Sequence, residues 1–139
     1  MTSILVKDHM QHNAYAVNDH ANVEQVVAHL LTHNITGAPV IDEQHQVVGF
    51  VSEQDCIKEM LNSTFFGEDS SSVQSIMHQE VLSVTPDTSI LEIAETMLKN
   101  KPKNYPVVVD GKLVGLINRR LILQALMKNC SERYLSLKH

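Results

Sequence analysis

The sequence predicts an α+β fold made of two tandem copies of one βαββα unit, with small sheets covered by helices. Three observations support this prediction. An apolar helical stripe recurs 67 positions further along the 139-residue chain. Two short apolar strands and a second amphipathic helix follow the stripe both times. The strands are apolar runs, which is typical of sheets that are covered and not exposed to water.

The first helix of each copy presents the same apolar face. Positions i, i+3, i+4, i+7 and i+8 are apolar in copy one, and adding 67 to each number gives the stripe of copy two: Val23, Val26, Val27, Leu30 and Leu31, then Ile90, Ile93, Ala94, Met97 and Leu98. Asn22 and Ser89 precede the two stripes, each with Gln or Glu three residues on. This capping-box spacing predicts helices at Val23–His33 and Ile90–Lys99.

The remaining elements recur at nearly the same offset. Pro39-Val40-Ile41 matches Pro106-Val107-Val108, and Val47–Val51 matches Leu113–Ile117 after one deletion. The Asp-Gly pair at Asp110 is typical of a β-hairpin. The other predicted elements are first turns at Val6–Met10 and Val73–Met77, short strands at Ala14–Val17 and Leu82–Val84, hairpin strands at Ala38–Asp42, Val47–Val51, Tyr105–Val109 and Lys112–Ile117, and closing helices at Glu53–Leu61 and Arg119–Lys128.

The repeat also predicts the domain organisation. Residues 1–62 form copy one, 63–72 a polar linker, 73–129 copy two and 130–139 a C-terminal tail. A unit of about 65 residues buries too little surface to be stable alone. We therefore expect the two copies to share one core.

Composition excludes several classes of function. The net charge is −5, from 11 basic and 16 acidic residues, whereas wrapping nucleic acid needs a dominant basic surface. Lys7 and Asp8 interrupt any apolar N-terminal run, and no apolar stretch approaches the roughly 18 residues of a membrane span. Cys56 and Cys130 form neither a disulfide framework nor a CxxC pair. The sequence predicts a cytoplasmic protein with no nucleic-acid or membrane partner.

Two motifs give the repeat a family resemblance. Copy one contains Gly37-Ala38-Pro39-Val40-Ile41-Asp42 and Gly49-Phe50-Val51-Ser52-Glu53-Gln54-Asp55, and copy two contains Tyr105-Pro106-Val107-Val108 and Gly115-Leu116-Ile117-Asn118. In this order, inside a βαββα repeat, they resemble the CBS domain, named after cystathionine β-synthase. CBS domains occur in tandem pairs, known as Bateman-type modules. The resemblance extends from about Val6 to Met127.

The resemblance implies a regulatory module that binds an adenosine-containing ligand, such as AMP, ADP, ATP or S-adenosylmethionine. It implies that Ser52 lies near the phosphate and that Asp55 holds the ribose hydroxyls. It also places three residues along the adenine pocket, namely Gly37, Ala38 and Pro39. Both pockets of such a pair open toward a shared cleft, which would let Arg120 reach a phosphate bound by copy one.

Physical arguments that do not depend on the family resemblance also suit these residues to this chemistry. Ser52 stands where a strand turns into a helix, whose unpaired N–H groups favour a phosphate. A carboxylate at Asp55 can accept two hydrogen bonds from a ribose diol. Gly37 removes a side chain where a flat base could approach the backbone. Ser52 and Asp55 equally form a plain helix cap, so capping and ligand binding stay open as alternatives.

Copy two departs from the motif. Asn118 replaces the serine and Leu121 replaces the aspartate, and leucine cannot hydrogen-bond a ribose. Arg119 and Arg120 begin the closing helix, where a cation opposes the helix dipole. They indicate either a nearby anionic ligand or two solvated side chains. Tyr105 could stack on adenine or pack in the core.

No Gly-rich phosphate loop and no nucleophile–base signature appears in the sequence. We therefore predict a non-enzymatic regulator that responds to an adenine nucleotide and acts through an unidentified partner protein. The alternative is a ligand-free dimerisation or scaffold module. The wide apolar faces of the closing helices predict a homodimer in either case. His29 and His33 are spaced like two metal ligands, but no third ligand is evident, so no metal is expected.

Overall fold

The computed structural model describes residues 3–62, 71–99 and 102–138, and of residues 131–138 only the helical backbone. Most of the predicted linker, residues 63–70, lies outside the described residues. The elements in chain order are a 3-10 turn at Val6–Asp8, β1 at Val17–Asn18, α1 at Val23–His33, β2 at Gly37–Ile41, β3 at Val47–Ser52, α2 at Glu53–Met60, α3 at Val73–Ile76, α4 at Ile90–Met97, β4 at Asn104–Val109, β5 at Lys112–Asn118 and α5 at Arg119–Lys138. The predicted α+β architecture of small sheets and helices is confirmed.

Helix α1 has the limits that its apolar stripe and its cap predict. Asn22 Oδ1 accepts a hydrogen bond from the Gln25 N–H at 2.8 Å, and Gln25 Oε1 accepts one from the Asn22 N–H at 2.9 Å. This reciprocal capping box satisfies two backbone donors that the helix leaves unpaired. The helix ends at Asn34, whose left-handed φ of 52° stops further helical bonding.

Two small sheets carry the strands. Strand β2 pairs in parallel with β1 and antiparallel with β3, and β4 pairs with β5. The strand predicted at Leu82–Val84 is wrong, because Val84 makes only a single parallel bridge to Val107. Pro86 follows closely and has no N–H to extend the ladder. The strand predicted at Ala14–Val17 is confined to Val17–Asn18, because Tyr15 has a φ of 51° that a strand does not accommodate.

Helix α5 runs to Lys138, well beyond its predicted end at Lys128. The predicted end came from the match with α2, which stops at Met60. After Lys128 the sequence has neither a glycine nor a proline to end the helix. The backbone of residues 130–138 therefore continues the helix.

The chain forms two compact units, and neither unit coincides with one copy of the repeat. Unit 1 contains Met1–His12, Leu82–Val109 and Val114–His139, and unit 2 contains Asn13–Val81 and Asp110–Leu113. The first turn of copy one thus belongs to the unit built mainly from copy two. Helix α3, the first turn of copy two, belongs to the unit built mainly from copy one.

Each unit has its own apolar core, so the expectation of one shared core is wrong. In unit 1, Val6 of copy one packs with residues of copy two: Ile90, Ile93, Tyr105, Val107, Ile117, Ile122 and Ala125. In unit 2, Val73 of copy two packs with residues of copy one: Val17, Val26, Leu30, Ala38, Val40, Val51 and Cys56. Val6 and Val73 are both fully buried. The exchange enlarges each small core with a valine from the other copy, which offsets the limited burial of a short repeat.

Backbone hydrogen bonds hold the exchanged turns in place. In unit 1, the Val6 N–H donates to Thr88 O at 2.9 Å, and the Ile90 N–H donates to Ile4 O at 2.8 Å. In unit 2, the Val73 N–H donates to Ala21 O at 2.9 Å. None of the helices in the described parts of the chain combines the length and the apolar character that a membrane crossing demands.

Candidate functional site

The start of α2 holds the two residues predicted to bind phosphate and ribose. The Asp55 N–H donates to Ser52 Oγ at 3.2 Å. In return, Asp55 Oδ2 accepts from the Ser52 N–H at 2.8 Å and from the Ser52 hydroxyl at 2.9 Å. These bonds form a capping box, so the capping interpretation of the motif describes this structure.

A histidine that no sequence motif indicates lies against this candidate site. His78 Nε2 lies 2.9 Å from Asp55 Oδ1. An ionised carboxylate only accepts hydrogen bonds, so the bond requires a proton on Nε2. The Asp55 side chain is 15% exposed and that of His78 is 67% exposed, which makes the imidazole the outer partner of the pair.

The backbone of His78 is fixed against β3. The Phe50 N–H donates to His78 O and the His78 N–H donates to Phe50 O, both at 2.9 Å. A Cβ added to Gly49 would lie 2.5 Å from Met77 Sδ and 3.0 Å from His78 O. The glycine of the Gly-x-x-Ser motif is therefore needed because the first turn of copy two crosses β3 here.

Strand β2 brings the predicted adenine-pocket residues beside Ser52. Gly37 pairs with Ser52 and Pro39 pairs with Phe50 across β2 and β3. The Ala38 side chain belongs to the core of unit 2. A Cβ added to Gly37 would lie 2.7 Å from Phe50 Cε1, so the Phe50 ring takes the space that the glycine leaves. A base could approach the Gly37 backbone only if this ring moved.

Copy two has the same backbone frame with different chemistry. Asn118 caps α5, and its Oδ1 accepts from the Leu121 N–H at 2.9 Å. Leu121 packs against the core of unit 1. Gln11 stands where His78 stands in unit 2, and it exchanges two backbone hydrogen bonds of 2.8 Å with Leu116. A Cβ on Gly115 would lie 2.8 Å from Gln11 O, as expected from the equivalent crossing at Gly49.

The other candidate residues of copy two belong to unit 1. Arg119 and Arg120 are exposed at the start of α5, and the Arg119 N–H donates to Lys103 O at 3.0 Å. Tyr105 is only 2% exposed and is a member of the core, so its ring has no free face for stacking on a base. Burial raises the pKa of the Tyr105 hydroxyl, and within the described residues this hydroxyl has no hydrogen-bond partner.

Cys56, next to Asp55, is a packing residue. Its side chain belongs to the core of unit 2. Burial, together with the negative charges of Asp55 and Glu53, raises the pKa of the Cys56 thiol to about 11. The thiol therefore stays protonated at neutral pH and is a poor nucleophile.

The two histidines with metal-ligand spacing contact Tyr15. His29 Nε2 lies 2.6 Å from Tyr15 O, and the His33 ring stacks on the Tyr15 ring with centroids 4.3 Å apart. Across residues 3–62, 71–99 and 102–130, no three His, Cys, Asp or Glu side chains form a group that could hold a metal ion.

The family follows from two matches along the chain. Residues 6–62 and residues 73–128 each match the sequence model of the CBS domain. The chain belongs to the CBS domain family. The resemblance inferred from the motifs is confirmed, and the site at Ser52 and Asp55 is the start of the closing helix in the first CBS repeat.

The curated relatives of this CBS pair differ widely in length. It is 30% identical over 114 residues to an uncharacterised 17.7 kDa protein of Acidianus ambivalens, covering 81% of this chain and 67% of the relative. It is 27% identical over 112 residues to the uncharacterised protein MJ1225 of Methanocaldococcus jannaschii, again covering 81% of this chain but only 39% of the relative. It matches the A-adding tRNA nucleotidyltransferase of Aquifex aeolicus at 28% identity, covering 89% of this chain and 14% of that enzyme.

Solved structures share the fold of this CBS pair. CBSX2 in complex with AMP superimposes with a TM-score of 0.79 at 28% identity, covering 91% of this chain and 98% of the other. CBSX2 from Arabidopsis thaliana also superimposes with a TM-score of 0.79, at 26% identity, covering 94% of this chain and 99% of the other. A putative acetoin utilization protein from Vibrio cholerae superimposes with a TM-score of 0.81 at 23% identity, covering 94% and 96%, which supports the fold alone.

Proposed function

We propose that this CBS pair is a regulatory module that binds an adenosine-containing ligand at Ser52 and Asp55. The observation that supports this proposal most directly is the largely buried Asp55 carboxylate in the first turn of α2, beside the β2 residues Gly37 and Pro39. The AMP complex of CBSX2 supports this ligand class, because that chain has the same fold at 28% identity. The proposed ligands are AMP, ADP, ATP and S-adenosylmethionine.

Each residue of the proposed site can contact a different part of the ligand. The N-terminus of α2 presents backbone N–H groups and a partial positive charge, which favour a phosphate. The Ser52 hydroxyl can rotate from Asp55 toward a phosphate oxygen, because a hydroxyl is both a donor and an acceptor. The Asp55 carboxylate can accept both hydrogen bonds of a ribose diol. Copy two has Leu121 at this position, so we propose one tight site per chain.

A thermal-shift screen followed by calorimetry tests this function. A ligand at 100 times its Kd should stabilise the fold by about 2.7 kcal/mol, visible as a rise in Tm. Calorimetry should then give about one tight site per chain. The control is 2′-deoxy-AMP, which lacks one ribose hydroxyl and should bind roughly tenfold more weakly. No shift with any of the four ligands at millimolar concentration would contradict the proposal.

We further propose that the module is non-enzymatic and acts through a partner protein. The matched segment is a small part of longer relatives named as enzymes, 14% of the tRNA nucleotidyltransferase and 22% of an inosine-5′-monophosphate dehydrogenase. This supports a module that exerts its effect through another protein or domain.

We propose that the chain assembles as a homodimer. The second candidate function is a ligand-free dimerisation or scaffold module. Large apolar side chains are exposed on both closing helices: Ile57 at 57% and Leu61 at 81% near α2, and Leu123 at 66% and Met127 at 67% on α5. Burying them against a second chain would remove apolar surface from water. Light scattering should give twice the chain mass at micromolar concentration, and the double variant Leu123→Glu/Met127→Glu should give a folded monomer. A wild type that is monomeric at this concentration would contradict the dimer.

A further inference from the structure

We propose that His78 gates the ribose site, because its imidazole competes with a ribose diol for the Oδ1 oxygen of Asp55. The inference deepens the proposed function and rests on it. Its basis is the hydrogen bond of 2.9 Å between His78 Nε2 and Asp55 Oδ1. His78 comes from copy two in the sequence, yet it covers the carboxylate of copy one within unit 2.

A count of acceptor sites shows why the imidazole and the diol compete. A carboxylate offers about four lone-pair positions. Three hydrogen bonds already end on Asp55: two on Oδ2, from the N–H and the hydroxyl of Ser52, and one on Oδ1, from His78. A ribose diol needs two positions, and about one remains. At least one of the three donors must therefore leave when the diol binds.

His78 is the donor whose departure frees Oδ1 for the ligand. The Ser52 N–H is backbone and lies where β3 joins α2, so it cannot move without breaking the cap. Rotation of the Ser52 hydroxyl toward a phosphate frees a position on Oδ2, but the imidazole still occupies one position on Oδ1, where it competes with the diol. The His78 side chain is 67% exposed, so its ring can turn into water and keep its hydrogen bonds there. Its backbone can stay paired with Phe50 throughout.

Copy two provides an internal comparison. The same backbone crossing exists there, with Gln11 paired to Leu116 as His78 is paired to Phe50. The residue matching Asp55 is Leu121, which has no acceptor. A histidine therefore stands only at the crossing whose helix carries the carboxylate. The backbone frame does not require an imidazole, which points to a role on the carboxylate itself.

The decisive measurement compares AMP and adenosine binding by calorimetry in wild type and His78→Ala at pH 8. His78→Ala should bind both ligands about fivefold more tightly, equivalent to about 1 kcal/mol, because the exposed imidazole regains hydrogen bonds to water when it leaves Asp55. The matched control Gln11→Ala, at the equivalent crossing in copy two, should leave both affinities unchanged. His78→Gln, which keeps an amide donor, should return the affinity toward the wild-type value.

The possible outcomes distinguish failure of the gate from failure of the proposed function. Equal gains for AMP and adenosine support a gate at the ribose, whereas a gain for AMP alone places the effect at the phosphate and overturns the gate. Unchanged or weaker binding in His78→Ala overturns the gate and leaves the proposed function standing. If neither protein binds AMP or adenosine, the gate is overturned, whereas the proposed function is overturned only if the thermal-shift screen also finds no binding of ADP, ATP or S-adenosylmethionine.

A second readout follows the imidazole directly. The ring signals of His78 in nuclear magnetic resonance spectra should move, on saturation with adenosine, to the positions they have in the Asp55→Ala variant. That variant leaves the ring free of its carboxylate. Ring signals that stay at their ligand-free positions at saturation would overturn the gate.

Discussion

Replacement of Asp55 by alanine should weaken AMP binding by about 100-fold or more. The carboxylate is the acceptor that we propose for both ribose hydroxyls, and a hydrogen bond to a charged group contributes about 1.5–3 kcal/mol. Loss of two such bonds corresponds to at least about two decades of affinity. The side chain is only 15% exposed in its pair with His78, so water compensates poorly for the lost acceptor.

Calorimetry on Asp55→Ala should be paired with a control for the lost helix cap. Loss of the Asp55 half of the capping box should lower the free energy of unfolding by about 1 kcal/mol, which calorimetric melting without ligand measures separately. Leu121→Ala is the matched variant at the same helical position in copy two. It should reduce packing in unit 1 and leave the AMP affinity unchanged. Tight binding that survives Asp55→Ala would show that the ligand binds elsewhere.

Replacement of Val6 by aspartate should unfold unit 1, although Val6 belongs to copy one in the sequence. Val6 is fully buried among residues of copy two such as Ile90 and Val107. A carboxylate at this position would be desolvated without a partner, at a cost of about 4 kcal/mol or more. That cost is comparable with the whole stability of a small domain.

Hydrogen exchange resolved along the chain tests this expectation. Val6→Asp should remove protection from α4, β4 and the first turns of α5, whereas the matched variant Val73→Asp should remove it from α1, β2 and β3. Val6→Ala, a milder change that costs about 2 kcal/mol, should weaken protection in the same elements if the aspartate variant fails to fold. Loss of protection mainly in α1 and β2 for Val6→Asp would contradict the exchange of first turns.

Local chemistry explains the parts of the fold and site that the sequence predicts. The stripe from Val23 to Leu31 and its Asn22 cap specify α1, because both act within a few residues of the chain. The Ser52 and Asp55 spacing predicts the capping box for the same reason. The end of α5 was mispredicted because it was inferred from the other copy, although nothing near Lys128 stops a helix.

The sequence by itself determined the repeat, the starts of the helices, the capping boxes of α1 and α2, the hairpins and the difference between Asp55 and Leu121, whereas Ser89 caps α4 through the Leu91 N–H and not through the predicted box with Glu92. Only the tertiary structure decided that the first turns are exchanged, that two cores form, and that His78 meets Asp55. Propensity and periodicity act over a few residues, whereas these contacts join segments far apart in the chain. They depend on which packing buries the most apolar surface and pairs the most backbone groups. The role of Gly49 and Gly115 is likewise visible only in the tertiary structure, where a distant segment of the backbone crosses each glycine.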